Sequence, residues 1–339
     1  MRNKVVRWIL WILILCSLLL GIVLFSLCTG SVGISLKEII RVIFEGKGTT
    51  EHSILFDIRL PRIILGLAIG GALSLAGVIA QGIFRNPLVE PYTLGISGGA
   101  ALGVCLNIVL RLSHHLGVLS LPVSGFLGAI TVIALVYTLS RRKGILKIQW
   151  LLLTGVMISF ICSSLVMLIM AVARAEDLHG IIFWIMGSLE EPSWSMIKLA
   201  VFISVFGLFV SYLFARDLNA LSLGEEEAIH LGINVERTKP VLFLLTSLLT
   251  GCCVSVAGII GFVGLAIPHL VRMVIGRDYR IVLVASFLAG GTFLILCDTV
   301  ARTAISPLEL PVGVITGILG GSIFVYVLAK RGDALWEIK

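Results

Sequence analysis

Charge is scarce in this chain. Only 13% of its 339 residues are Asp, Glu, Lys or Arg, where a soluble domain carries about 25% to solvate its surface, so a water-facing exterior of this size is excluded. With 58% hydrophobic residues, the same shortage excludes intrinsic disorder, which needs the opposite balance. Acidic residues are scarcer still, 19 against 26 Lys and Arg. None but Asp298, at the end of one run, falls within a long apolar stretch, which removes the carboxylate relay of a proton- or sodium-driven carrier. The seven cysteines all lie in apolar runs without metal-ligand spacing and read as small buried hydrophobes. Gly46-Lys47-Gly48-Thr49 lacks the upstream glycine of a phosphate loop. No His or carboxylate cluster marks a metal or catalytic centre, and the adjacent His114 and His115 read as solvated loop residues. The net charge of +7 sits in short clusters between apolar runs, a pattern that reports membrane orientation and not a nucleic-acid partner.

What is present is long apolar sequence. A bilayer core about 30 Å thick takes roughly 20 residues of helix. Runs that meet or approach this length predict spans at 8–28, 63–84, 91–110, 116–140, 148–173, 194–215, 240–257, 262–276, 281–298 and 310–329. The seventh and eighth come from one 32-residue run, too long for a single crossing and broken by Gly258, Gly261, Gly264 and Pro268. The chain reads as an all-α integral membrane protein with one ten-span domain and both termini in the cytoplasm. That topology places 17 Lys and Arg inside and nine outside, as the positive-inside rule asks. The first run is too long for a signal-peptide core and no clean cleavage site follows, so it reads as a retained span.

Glycines at small-residue spacing, such as Gly66, Gly70, Gly71 and Gly77, predict closely packed helices. Ser74-Leu75-Ala76-Gly77-Val78-Ile79 resembles Ser255-Val256-Ala257-Gly258-Ile259-Ile260, with a proline thirteen residues after each serine, a weak inverted repeat of the transporter kind. Arg59, Arg62 and Arg302 fall at the outer ends of spans, where exposed guanidiniums suit carboxylates of a docking protein. On the inner side, Arg85 to Pro91 is a hinge with two prolines. The longest inner loop, 216–239, predicts a short surface helix, with Ser222 at its start and Gly232 as its C-cap. Leu223, Ala228 and Leu231 on that helix have no core of their own, which suggests a docking element for another subunit.

Four blocks together resemble the FecCD family of binding-protein-dependent uptake permeases: Arg59-Leu60-Pro61-Arg62; Gln81 through Arg85-Asn86-Pro87-Leu88 to Gly99-Ala100; Leu223-Gly224-Glu225 to Leu231-Gly232; and Gly261 to Arg272. Asp298, Arg302, Glu309, Pro311, Gly313 and Thr316 continue the match. Val89, Tyr279 and Ser322 depart from the usual Ala, His and Pro.

The resemblance implies a type II ABC importer permease in a prokaryotic plasma membrane, forming a homodimer, or occasionally a heterodimer, with a pathway at its two-fold axis. It implies two cytoplasmic ATPase subunits, which hold the ATP and magnesium, and an extracytoplasmic binding protein that delivers a ferric siderophore, haem or cobalamin. By motif, Asn86 and Leu88 with Ile148 and Gln149 would form the cytoplasmic gate, and Arg59, Arg62 and Arg302 would meet the binding protein. Leu223, Gly224, Glu225, Glu226, Ala228, Leu231 and Gly232 would meet the ATPase. The chain itself would carry no catalytic residue, metal or cofactor. The competing reading is an ion-coupled secondary transporter of a small organic substrate, disfavoured by the missing intramembrane carboxylates.

Overall fold

The computed structural model describes residues 2–336 apart from 46–47, 113–116, 118, 143–144 and 191–192. His114 and His115 lie outside the described residues. In chain order the principal helices are α1 (Arg2–Cys28), α2 (Leu36–Glu45), α3 (Leu60–Phe84), α4 (Ile96–Val109), α5 (Ser120–Ser140), α6 (Ile148–Val172) and α7 (Ala175–Met186). They continue as α8 (Trp194–Leu213), α9 (Ala215–Leu221), α10 (Glu225–His230), α11 (Val235–Ala257), α12 (Val263–Ile275), α13 (Tyr279–Thr303) and α14 (Val312–Trp336). The described strand pairing is two residues long, Arg141–Arg142 with Ile145–Leu146.

Seven helices are long and apolar enough to cross a bilayer, and three predicted spans are shorter apolar helices, Ile96–Val109, Val263–Ile275 and Val312–Val327. The third predicted span is not one helix from residue 91. Pro91–Leu94 forms a 3-10 turn, Gly95 takes φ 81°, and only then does α4 begin. Gly95 is needed there because a Cβ would also meet the Gly155 carbonyl oxygen at 2.9 Å. The 32-residue run divides as expected into a long and a short helix, but the break is confined to 258–262, with Gly258 at φ 69° and Phe262 at φ 67°. Gly264 and Pro268, read as interruptions, lie inside α12. The two halves of the apparent repeat therefore take different backbones: Ser74 to Ile79 stays within α3, whereas Ser255 to Ile260 straddles the break.

Helix α3 forms the centre of the bundle. Most of its residues are buried, and it packs against α8, α11, α12 and α13. A hydrophobic helix buried all round needs small residues to admit its neighbours, since lipid tails offer no hydrophobic drive for association. Gly70 and Gly290 of α13 meet backbone to backbone, so that a Cβ on either would collide with the other's carbonyl oxygen. Gly70→Val should destabilise the fold by roughly 1–3 kcal/mol through overpacking, read as a lower thermal unfolding midpoint in detergent. An unchanged midpoint would mean that the crossing is looser than drawn.

At the other extreme, α1 packs on the bundle by one face only, through Trp8, Trp11, Ile12 and Leu15, and turns Val5, Ile9, Leu13 and Leu20 outward, while α6 and α8 carry exposed Phe160, Met167, Phe202 and Phe209. An outer surface this apolar fits lipid and not water. Among the cysteines, Cys105, Cys162, Cys253 and Cys297 are buried as expected. Cys16 is exposed on the outer face of α1, and all seven are unpaired.

Two of the basic stretches, the N-terminus and the segment around Arg277 and Arg280, come together in the fold. Lys4 Nζ pairs with Asp278 at 3.0 Å and Arg7 donates to the Ile275 carbonyl at 3.1 Å, joining the N-terminus to the start of α13. Asp278 also accepts from Arg280 and Asn219. Partial burial would raise its pKa, but these hydrogen bonds outweigh it and hold the carboxyl well below the usual range.

Candidate functional site

The three outer arginines are buried, not exposed. Arg59 donates to the backbone carbonyls of Leu27 and Val32, tying the end of α1 to the start of α3. Arg62 Nη2 lies 2.7 Å from Glu309 and 3.6 Å from Glu190. Arg302 Nε bonds Asp298 at 2.9 Å and its Nη2 reaches Ser26 Oγ at 2.9 Å, while Thr299 donates to the same hydroxyl. A guanidinium at the edge of an apolar bundle finds acceptors inside the fold, because leaving its donors unpaired there is costly. The exposed charge beside this cluster is instead acidic: Glu190 is largely open and Glu309 partly so.

At the opposite end of α3, Arg85 closes the helix in the left-handed conformation, φ 49°. The Asn86 side chain then accepts from the Leu88 N–H at 2.9 Å, making a tight turn that leaves both residues exposed. At the start of α6, Ile148 is half-buried and Gln149 exposed. Among the described residues no hydrogen bond joins the Asn86 and Leu88 pair to Ile148 or Gln149.

The segment after this turn holds what sequence reasoning missed. Glu90, taken as part of an inner loop, folds back into the bundle and accepts from the Phe262 N–H at 2.8 Å. Beside it the Tyr92 hydroxyl donates to the Ile260 carbonyl at 3.0 Å and accepts from the Ile260 N–H at 3.3 Å. The expectation that no carboxylate lies deep in the bundle is therefore corrected: Glu90 falls between two apolar runs in sequence, but tertiary folding carries it inward. A cue was present in Pro87 and Pro91, which prevent helix on both sides and leave the chain free to re-enter. Also deep, Arg272 directs Nη1 and Nη2 to Gln81 Oε1 at 2.7 and 2.6 Å, and Gln81 donates to the carbonyls of Gly264 and Leu265.

The surface helix α10 exists, with its boundaries revised. It begins after Gly224, not Ser222, whose hydroxyl instead bonds the Asn219 carbonyl at the end of α9. Gly224 has φ 150°, and a Cβ on it would collide with the Glu227 carboxylate. Gly232, at φ 85°, ends the helix as expected, its N–H bonding the Ile229 carbonyl while that of Ile233 bonds Ala228. Glu225, Glu226 and Glu227 fill the first turn, where the helix dipole favours negative charge.

Of the expected docking residues, Leu223 and Leu231 stand exposed, and Ile229, which sequence reasoning passed over, joins them. Ala228 is a correction: it is fully buried and anchors the helix to the bundle's underside, because the inward face of so short a helix is narrow enough for one small side chain. Glu225 is exposed but held by an ion pair with buried Lys239, which leaves Glu226 as the freer acid. Among the described residues there is no His, Cys, Asp and Glu grouping fit for a metal ion.

Residues 18–330 match the FecCD transport family. The chain belongs to the FecCD family. It is accordingly a multi-pass membrane permease. Among its relatives, the hemin transport system permease HmuU of Yersinia pestis is 41% identical over 279 residues, 82% of this chain and 83% of that protein. The cobalamin import system permease BtuC of Halobacterium salinarum is 39% identical over 286 residues, 84% of this chain and 76% of the relative. A solved structure described as an inward-facing conformation of a metal-chelate type ABC transporter superposes with a TM-score of 0.84 at 32% identity, covering 94% of this chain and 98% of that one.

Proposed function

We propose that the chain is the ten-span permease subunit of an ATP-driven importer that moves a metal chelate of the ferric siderophore, haem or cobalamin class inward by alternating access. The observation that carries this reading is α10, a short helix anchored by Ala228 that presents Leu223, Ile229 and Leu231 beside an acidic first turn. Among the described residues nothing covers this surface, which suits a nucleotide-hydrolysing subunit, and the relatives named for hemin and cobalamin transport support the cargo class. In this reading both termini and α10 face the cytoplasm of a prokaryotic plasma membrane, two copies of the permease enclose the pathway, and the exposed Asn86, Leu88 and Gln149 with Ile148 form its inner gate. A binding protein docks at the outer end near Arg59, Arg62 and Arg302. Since these arginines are already paired inside the fold, they act by holding the docking surface in shape, and Glu190 and Glu309 are the charges it offers.

An ion-coupled carrier gains one deep carboxylate in Glu90, but that group is already engaged by the Phe262 N–H. The test is reconstitution of the permease with its ATPase and binding protein in liposomes, offered a ferric siderophore, haem and cobalamin in turn. The expected result is ATP-dependent accumulation of one of them and none under a proton or sodium gradient alone. Gradient-driven uptake without ATP would overturn the proposal.

A further inference from the structure

The break between α11 and α12 is held by a side chain from a distant part of the chain. Phe262, the residue before α12, sits at φ 67°, a conformation that costs a residue with a Cβ roughly 1–2 kcal/mol. Its ring lies against Gly320 and Gly321 of α14, where a Cβ on Gly320 would come within 2.6 Å of the Phe262 Cβ. With no helical turn before it, the Phe262 N–H has no intrahelical acceptor, and Glu90 supplies one at 2.8 Å. The Tyr92 hydroxyl takes both backbone polar groups of Ile260 two residues earlier. Pro91 packs where a Cβ on Gly264 would stand, 2.9 Å away.

These contacts lie inboard of the exposed turn. Helix α12 is 13 residues, about 20 Å long at about 1.5 Å per residue. Its far end carries Arg272, bonded to Gln81 in the last turn of α3. Gly264, in the first turn of α12, lies against the Leu73 carbonyl midway along α3, so Glu90, at the near end of α12, sits inboard of the point where α3 stops, although only five residues separate it from Phe84. A carboxylate at that depth is expensive unless it has a task.

We propose that Glu90 is a positioning residue that acts through Phe262: by accepting its N–H, it fixes segment 85–95 to the α11–α12 break, so that the exposed Asn86 and Leu88 shift only together with that break. The idea deepens the permease reading and rests on it for the word gate. The clamp itself is a statement about the fold alone.

Hydrogen exchange on the intact permease in lipid nanodiscs tests the clamp. Glu90→Ala should raise the exchange of amides in both 259–264 and 86–95 at least about tenfold, a factor equal to about 1.4 kcal/mol of lost protection. Glu90→Gln keeps an acceptor of the same length and should stay near wild type. Glu90→Asp withdraws the carboxylate by one methylene and should loosen both segments, so it reads the same contact if the alanine variant fails to assemble. Loosening of 259–264 alone, no loosening of either segment, or a glutamine variant as loose as alanine would each overturn the proposal. For the gate, liposomes containing only the permease are loaded with calcein. Glu90→Ala should leak several-fold faster than wild type, and loosened exchange with unchanged leakage would overturn the gating role. Failure of the wild-type complex to accumulate any chelate would count against the permease reading and leave the exchange result standing.

Discussion

Changing Leu223 and Leu231 together to aspartate should strip the ATPase from the permease. Both side chains are well over half exposed and stand on either side of α10, so they contribute little to the fold of the chain itself. Burying a leucine side chain is worth about 1.5–3 kcal/mol, or roughly tenfold or more in affinity. Two such anchors, each replaced by a charge that must also be desolvated beside Glu225, Glu226 and Glu227, should lower co-purification of the ATPase about 100-fold or more. The membrane level and thermal midpoint of the permease should be unchanged, since neither residue belongs to its core. Retention of a stoichiometric ATPase by the double variant would show that α10 is not the docking element. Ala228→Asp makes the useful contrast: the same change of chemistry, three residues from Leu231 but on the buried face, should fail to fold rather than fail to bind.

Asp298→Ala should be the most destabilising single change at the outer end. Asp298 and Arg302 are one helical turn apart in α13, both almost fully buried, and 2.9 Å separates Arg302 Nε from the carboxylate. Removing the acid leaves a buried guanidinium with Ser26 as its remaining partner, which costs about 3–5 kcal/mol for pairs of this kind. Desolvation of both ions means that the intact pair is not strongly stabilising in itself, so Asp298→Leu with Arg302→Met should recover most of the loss. The comparison is read as thermal midpoints and yields in detergent. If the double variant is as unstable as Asp298→Ala alone, the pair carries a specific structural role that apolar packing cannot replace.

That second result bears on how the outer arginines act. Their positions at helix ends were legible from sequence, and so was their chemistry as bidentate donors. What the sequence left hidden was the set of acceptors. Glu309 is 247 residues from Arg62, and Ser26 is 276 from Arg302, so only the Asp298–Arg302 pair, four residues apart, lies within reach of a local pattern. The exposed docking guanidiniums expected from span boundaries are therefore internal ties. Ala228 was hidden for a different reason: on a six-residue helix, spacing identifies an apolar side but not which residue faces the flanking helices α9 and α11, against which it packs.

Composition and run length alone determined that this chain is an all-helical membrane protein, and the Glu and Gly residues of the 216–239 loop that a short acidic helix lies there. These follow from local physics: a lipid solvent demands apolar residues in runs of helical length, and turns demand glycine and proline. Motif order along the chain likewise pointed to the FecCD family. Only the tertiary structure decided that the 91–110 run starts with a re-entrant turn, that the outer arginines are buried and that Glu90 lies deep against Phe262. The shortage of charge that excludes a soluble protein also makes each remaining charge costly to leave unpaired in the bundle. Where each finds its partner is set by long-range packing, which hydropathy along the chain does not encode.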